Sequence, residues 1–457
     1  MKKFFCGERG ACEKCKLCGA GKNLSGLFSY EKNPCHIPQD GYGIAVDIGT
    51  STIAFELFDL RSGESKAAYA CVNSQREAFG ADVMTRISRA VAGDAAALHE
   101  CILRDLRQGI EQVAARAGGA DVSQDAISRL VVCGNTTMLH FLQGFSVEGL
   151  GRYPFTPFSV EAFRGRFFGI EAFVLPGVSA FLGADLVAGL LHCGAFCENA
   201  LAENFLYIDC GTNAEMAVFG NFSEKIYAVS AAAGPAFEKM SFQIVEKCDK
   251  LISFDTAVAN NMFGADIVTL AAKSLRAGEF NPRDFADFLL AKAAVRAGIE
   301  ILLAEAGISC ENIGKVFLAG GFGYKIDVAD ATAVGLFPSG LEDKVFTVGN
   351  AALGGAARVL LNPDLACETI NGFETTHKAT SKNLAEPIFA TGEFSGEARK
   401  SSVCVANTRS EKSCEAVFRG CHKHAPYVHG VARRMAEISL ATHPQFEGLF
   451  LKNMEIL

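Results

Sequence analysis

Two segments of the chain place an acidic side chain just before a glycine turn at the end of an apolar run. Ile44-Ala-Val-Asp47-Ile-Gly49-Thr50-Ser51-Thr52 comes first, and Leu206-Tyr-Ile-Asp209-Cys-Gly211-Thr212-Asn213 repeats it in the second half. The turn glycine reaches backbone conformations closed to other residues. It also bares successive N–H groups, which with the Thr and Ser hydroxyls can cradle phosphate oxygens. A carboxylate at the strand end can hold a hydrated Mg²⁺ or orient an attacking water. One Asp-x-Gly-Thr alone reads equally as an ordinary hairpin turn. Its return with the same flanking pattern points to two homologous halves whose hairpins face each other across a cleft. A third element, Phe317-Leu-Ala-Gly320-Gly321-Phe-Gly323, is a glycine turn after an apolar strand, against which a flat base or ribose could lie. Alone it is compatible with a simple tight turn. Neither Gly-x-Gly-x-x-Gly nor a P-loop Gly-Lys-Ser/Thr occurs, which argues against Rossmann and Walker sites.

A second kind of chemistry is concentrated at the N-terminus. Cys6, Cys12, Cys15 and Cys18 crowd one short glycine- and lysine-rich stretch, and Cys35 follows. Thiols so close bind metal, pair as disulfides or stay reduced, and in a cytoplasmic chain metal is favoured. The C-x₅-C-x₂-C opening approaches the cluster loop of plant-type ferredoxins, although the segment is too short for a ferredoxin domain. Cys18 and Cys35 are alternative fourth ligands, the cluster could be [2Fe-2S] or [4Fe-4S], and a structural zinc also suits four thiolates. Cys404, Cys414, Cys421, His422 and His424 could bind a second metal, although their spacing is irregular. Cysteines scattered singly in apolar runs, such as Cys133 and Cys210, read as small core residues.

The elements that must position these groups follow an α/β rhythm. Strands are expected over 43–47, 53–59, 130–133, 205–209, 215–219 and 315–319, and helices over 80–92, 97–117 and 284–307, the last capped at Gly307. The 457 residues, 49% of them hydrophobic, suffice for several domains. The division expected is a cysteine-rich metal segment at 1–36, one half at 41–200, a second at 201–362, a solvated and flexible polar insertion at 363–430, and a C-terminal helix in 431–457 packing back on the core. A net charge of −8 gives no general attraction to nucleic acid or to an anionic membrane surface. Met1-Lys-Lys-Phe-Phe-Cys6 lacks the apolar run of a signal peptide, and no stretch of 18 or more apolar residues suggests a membrane span. The expected location is cytoplasmic.

Phosphate turn, phosphate turn and nucleoside turn, in that order, resemble the ATPase core of actin, sugar kinases and heat-shock chaperones, a fold of two ribonuclease-H-like halves. Joined to the cysteine segment, that core resembles the reductive activators of corrinoid proteins, ATP-dependent iron–sulfur proteins that rescue cobalamin-dependent methyltransferases. The resemblance rests on Gly43-Ile-Ala-Val-Asp-Ile-Gly-Thr-Ser-Thr52, Asn73-Ser-Gln75, Phe79-Gly-Ala-Asp-Val-Met-Thr-Arg-Ile87, Gly134-Asn-Thr-Thr-Met-Leu-His140 and Tyr153-Pro-Phe155. It extends through Ala233-Gly-Pro-Ala-Phe-Glu238, Ala291-Lys-Ala-Ala-Val-Arg-Ala-Gly-Ile-Glu300, Gly320-Gly-Phe-Gly323 and Val348-Gly-Asn-Ala-Ala-Leu353. The second turn reads Asn213-Ala214-Glu215 where the family usually has Asn-Gly-Glu.

The resemblance implies an ATPase coupled to one-electron reduction of Co(II) to Co(I) through an iron–sulfur cluster held by Cys6, Cys12, Cys15 and either Cys18 or Cys35. It places Asp47 and Asp209 near Mg²⁺ and the γ-phosphate. It gives phosphate contacts to Gly49, Thr50, Ser51, Thr52, Gly211, Thr212 and Asn213, and an adenosine border to Gly320, Gly321 and Gly323. The implied partners are a corrinoid protein and an electron donor such as ferredoxin, with a homodimer left open. Two rivals stand beside it: an electron donor resembling the activators of 2-hydroxyacyl-CoA dehydratases, and a nucleotide-dependent metal-binding protein with structural zinc.

Overall fold

Strand β1 (Tyr42–Ile48) hides Ile44, Ala45 and Val46 completely, so both of its faces are covered. β2 (Thr52–Asp59) pairs with it antiparallel and β3 (Ser65–Val72) continues antiparallel beyond β2. On the other side β4 (Ile127–Gly134) runs parallel to β1. β5 (Phe163–Phe167) and β6 (Ile170–Val174) complete the sheet in the order β3-β2-β1-β4-β6-β5. The same plan recurs downstream. β7 (Asn204–Cys210), β8 (Ala214–Phe219) and β9 (Ile226–Ala231) form an antiparallel meander, and β10 (Ile313–Ala319) and β11 (Val345–Gly349) add parallel strands beside β7. With β12 (Met435–Glu437), the second sheet has the order β11-β10-β7-β8-β9-β12.

The computed structural model describes residues 39–118, 122, 126–193, 203–211, 213–220, 226–232, 264–323, 326–366 and 435–454. The cysteine-rich head at 1–36 and nearly all of the polar stretch at 363–430 lie outside them.

Helices α1 (Gln75–Phe79), α2 (Val83–Arg89) and α3 (Ala95–Arg116) connect β3 to β4, and α4 (Thr136–Gln143) follows β4. The helix expected over 80–92 forms but starts three residues later, at Val83. Gly80 takes φ +125°, and Asp82 starts α2 by accepting the Thr85 N–H at 2.8 Å. Residues Ala90–Asp94 carry the chain into α3 across a kink at Gly93, which takes φ +121°. Leu98, Ile102, Leu106, Ile110 and Val113 make the apolar stripe of α3. Gly109 lets that helix settle on Phe55, whose ring would lie 2.0 Å from any Cβ at that position.

α5 (Ala184–His192) leads out of the first unit, and α6 (Gly264–Arg276) and α7 (Ala286–Ala306) precede β10. α7 is buried on nearly every side and ends, as expected, at Gly307 with φ +65°. The turn α8 (Gly320–Gly323), then α9 (Val328–Ala333), α10 (Ala351–Leu361) and α11 (Phe446–Lys452) complete the chain.

α10 follows β11 of the second sheet in sequence but packs on β1 and β4 of the first. It meets α5 so closely that a Cβ at Gly355 would stand 1.8 Å from the Ala188 carbonyl oxygen. One hydrophobic core runs from the first sheet through α5 and α10 to Phe205, Tyr207, Phe219 and Phe317 on one face of the second sheet. On its other face Leu206, Ile208 and Val218 form a second core with α6 and α7. The tail expected as helix contributes a strand as well, because Met435–Glu437 pairs in parallel with Ile226–Ala228 and covers the β9 edge. The duplicated α/β plan is the actin-like architecture.

Candidate functional site

Asp47 and Asp209 occupy matching places, each near the end of the first strand of its meander. Asp47 faces Ala54 on β2 and Cys133 on β4, whereas Asp209 faces Glu215 on β8 and Ala319 on β10. The first turn closes with the Gly49 N–H donating to the Thr52 carbonyl at 2.9 Å. The second closes with the Gly211 N–H donating to the Asn213 carbonyl at 2.8 Å. It is thus one residue tighter, and this brings the carboxylate of Glu215 opposite Asp209 where the first hairpin has the methyl of Ala54. Thr50 is buried, Ser51 half-buried and Thr52 exposed, and Asn213 is exposed beside the half-buried Gly211. Thr212 lies outside the described residues.

The third turn abuts the second hairpin. Gly320 has φ +83°, and a Cβ there would meet Asp209 Oδ1 at 2.5 Å and the Cys210 carbonyl oxygen at 2.6 Å, so only glycine fits. Gly321 is exposed with open space above it, while Gly323 is buried against Leu318. These positions fit a surface that a flat group can approach.

Burial raises the Asp47 carboxyl to about 6 against the opposing hydrogen bonds from Asn350 and Cys133. Burial, and then the charge of Asp47, raise Asp209 to about 6, while the Tyr207 hydroxyl, donating to Oδ2 at 3.1 Å, opposes the shift. The two hairpins therefore lie close enough for one carboxylate to feel the other. Asp185, at the first turn of α5, is held above the usual carboxylate range by burial and then by Asp47. Glu215 is raised by burial and by Asp185 and Asp209. Four carboxylates from β1, α5, β7 and β8 thus converge, and among the described residues no Lys, Arg or His forms an ion pair with any of them.

Such a set has an unmet demand for positive charge, and its donors are all oxygens, which suits a hard divalent cation. Among the described residues no three His, Cys, Asp or Glu side chains gather tightly enough to enclose a metal ion. Mg²⁺ fits this arrangement, since it keeps several waters and shares one or two carboxylates with phosphate oxygens.

Two asparagines that sequence reasoning left without a role complete the site. Asn135 caps α4 with Oδ1, accepting the Met138 N–H at 3.0 Å, and its Nδ2 donates to Thr50 Oγ1 at 3.0 Å. Asn350 does the same for α10, with Oδ1 accepting the Leu353 N–H at 2.8 Å and Nδ2 donating to Asp47 Oδ2 at 2.8 Å. Asn before an apolar helix is a cap signal legible in sequence, but the reach of its amide is not. Asp185 and Glu215 were likewise missed.

Cys6, Cys12, Cys15, Cys18 and Cys35 lie outside the described residues. Cys133 and Cys210 are fully buried free thiols in the core, as expected. Among the described residues no helix is long and apolar enough to cross a membrane.

Comparison with known proteins agrees with this geometry. Residues 42–196 match the family described as the RACo middle region, and 203–248 with 256–385 match the C-terminal domain of RACo, the ASKHA domain. The corrinoid activation enzyme RamQ of Eubacterium limosum is 30% identical over 411 residues, covering 74% of this chain and 67% of that protein. The Co(II) methylated amine-specific corrinoid protein reductase of Methanosarcina barkeri is 25% identical over 427 residues, covering 77% and 75%. A solved reductive activator for corrinoid, iron–sulfur protein shares the fold with a TM-score of 0.65 at 24% identity, over 92% of this chain and 67% of that one.

Proposed function

Because the chain belongs to the family of reductive activators of corrinoid proteins, we propose that it binds MgATP between its two hairpins and couples ATP hydrolysis to one-electron reduction of a protein-bound corrinoid from Co(II) to Co(I). The observation that carries the nucleotide reading is that Asp47 and Asp209 hold matching places in two like hairpins, with Asn350, just after β11 of the second sheet, bonded to Asp47 of the first at 2.8 Å. The partner is a corrinoid protein of a methyltransferase system, and the electron comes from a low-potential donor such as a ferredoxin. The halves at 41–200 and 201–362 form the walls of the cleft.

In this reading the turn N–H groups and the hydroxyls of Thr50, Ser51, Thr52 and Thr212 hold phosphate oxygens, together with Gly49, Gly211 and Asn213. Gly320, Gly321 and Gly323 border the adenosine. Asn350 fixes Asp47 by its 2.8 Å bond and Tyr207 fixes Asp209, so neither carboxylate rotates freely. Asp47 would hold a hydrated Mg²⁺, which would supply charge neutralisation at the phosphates. Asp209 orients the attacking water and accepts its proton, a role suited to a carboxyl raised to about 6. Hydrolysis changes what the cleft holds between its walls, and closure or opening of the halves alters the fit to the corrinoid protein. Cys6, Cys12, Cys15 and either Cys18 or Cys35 would hold an iron–sulfur cluster, which supplies one-electron transfer when bound.

The test is Asp209→Ala in the whole protein. ATP hydrolysis and ATP-dependent formation of Co(I), followed by its visible absorption, are expected to disappear while the cluster spectrum is kept. Unchanged hydrolysis in a folded Asp209→Ala would remove the cleft from the mechanism.

A further inference from the structure

Arg86 is fully buried, and among the described residues no carboxylate lies within ion-pair distance of it. A buried cation without an ion pair is costly unless it serves a local purpose. Burial lowers the guanidinium to about 10, so it stays cationic at neutral pH. Its donors go to neutral groups. Nε donates to the Gly80 carbonyl at 2.9 Å, Nη1 to Gln75 Oε1 at 3.1 Å and to Met138 Sδ at 3.4 Å, and Nη2 to the Thr50 carbonyl at 2.7 Å.

That last acceptor belongs to the first phosphate turn. The carbonyls on either side are also held from behind. Gly49 O accepts Asn73 Nδ2 at 3.0 Å, and Ser51 O accepts the Asn73 N–H at 3.0 Å. Asn73 and Gln75 are themselves fully buried. Three successive carbonyls are therefore drawn inward. In a planar trans peptide the N–H of the next residue points the opposite way. The N–H groups of Thr50, Ser51 and Thr52 are thus turned away from the clamp. No hydrogen bond among the described residues uses the N–H of Thr50 or Ser51. At Thr50 the side chain is arranged alike, for Asn135 donates to Oγ1 and so leaves the hydroxyl hydrogen to donate elsewhere.

We propose that Arg86, with Asn73, is a positioning residue that holds the Gly49–Thr52 turn with its N–H groups presented to nucleotide phosphates and supplies a fixed positive charge behind them. This rests on the nucleotide reading given above. Arg86 touches no substrate. It acts through the Thr50 peptide, and its buried cation offsets part of the negative charge that the four carboxylates and a polyphosphate bring to the cleft.

The test compares MgATP, MgADP and adenosine binding by calorimetry to the full-length wild type, Arg86→Gln and Arg86→Lys, with thermal unfolding of each. Arg86→Gln is expected to bind MgATP and MgADP about tenfold or more weakly, as loss of a charged donor implies, and adenosine as the wild type does. Arg86→Lys keeps the charge but cannot reach Gly80 and Thr50 together, and is expected to lose less. A merely structural role would weaken all three ligands alike. Folded Arg86→Gln with wild-type MgATP affinity would overturn the proposal. Where Arg86→Gln fails to fold, the same result in Arg86→Lys decides against it. A wild type that binds no MgATP removes the nucleotide reading itself, a result distinguishable from failure of the clamp alone.

Discussion

Asn350 Nδ2 donates to Asp47 Oδ2 at 2.8 Å, joining residues 303 positions apart in the chain. The bond ties the start of α10, which follows β11 of the second sheet, to a central strand of the first. It also lets one amide serve two purposes, because Oδ1 caps the helix. Asn350→Asp separates them. An aspartate still caps, so the melting temperature should fall little, but it sets a second carboxylate against Asp47 in place of a donor. ATP hydrolysis is expected to fall about tenfold or more. Asn350→Ala loses both roles and is expected to cost about 1 kcal/mol of stability as well. Steady-state hydrolysis and thermal unfolding of the two variants check this, and equal activity in wild type and Asn350→Asp would detach Asn350 from the site.

The raised carboxyls make stability depend on pH with a definite sign. Burial holds the Asp47 and Asp209 carboxyls at about 6 in the folded chain, above the ordinary aspartate value of 3.8. The folded chain therefore binds these protons more tightly than the unfolded chain does. Their contribution is fully present below 3.8 and is lost as pH rises through about 6. The nucleotide-free protein is expected to melt lower at pH 7.5 than at pH 5.5. Asp209→Asn should remove part of that difference, and MgADP should restore the melting temperature at pH 7.5 by binding the folded state. Thermal scans across this range decide it. A wild-type curve no steeper than that of Asp209→Asn would show that Asp209 is not shifted.

Local pattern carried the two hairpins. An apolar strand, an acid and a glycine turn are contiguous at Asp47 and at Asp209, and Gly307 ends α7 with a conformation that glycine favours. Register was not legible. Nothing in Asn213-Ala214-Glu215 reveals that the second turn is one residue tighter, and that is what sets Glu215 opposite Asp209. Asp185 lies at the start of a helix, and only tertiary packing brings its charge to Asp47. The start of α2 is legible at Asp82, an ordinary cap, and lies three residues beyond the expected boundary. Nothing local marks Arg86 as buried, and only tertiary packing closes over it.

The α5–α10 contact should be intolerant of a single methyl group. A Cβ at Gly355 would stand 1.8 Å from the Ala188 carbonyl oxygen, and two backbones cannot separate without moving the cap at Asn350. Gly355→Ala is expected to destabilise by about 1–3 kcal/mol and to weaken ATP hydrolysis. Gly448, in α11, has nothing within 4 Å of an added Cβ. Gly448→Ala should be neutral or stabilising by up to about 1 kcal/mol. Urea unfolding of the pair separates steric conflict from a general glycine effect, and equal midpoints would mean that the helices are less tightly apposed.

The cysteine head can be assigned independently of the cleft. Zinc bound by four thiolates has a filled d shell and gives no visible charge-transfer bands, whereas an iron–sulfur cluster absorbs in the visible because sulfur donates into iron d orbitals. Anaerobically purified protein is expected to be coloured. Cys6→Ser, Cys12→Ser and Cys15→Ser should each bleach it without altering MgATP binding, since none of the three belongs to either hairpin. Of Cys18→Ser and Cys35→Ser only one should bleach, and that one names the fourth ligand. A colourless protein with stoichiometric zinc would leave an ATPase without an electron relay and would favour a nucleotide-dependent metal-binding protein. Colour that survives all five substitutions would place the cluster on other thiols.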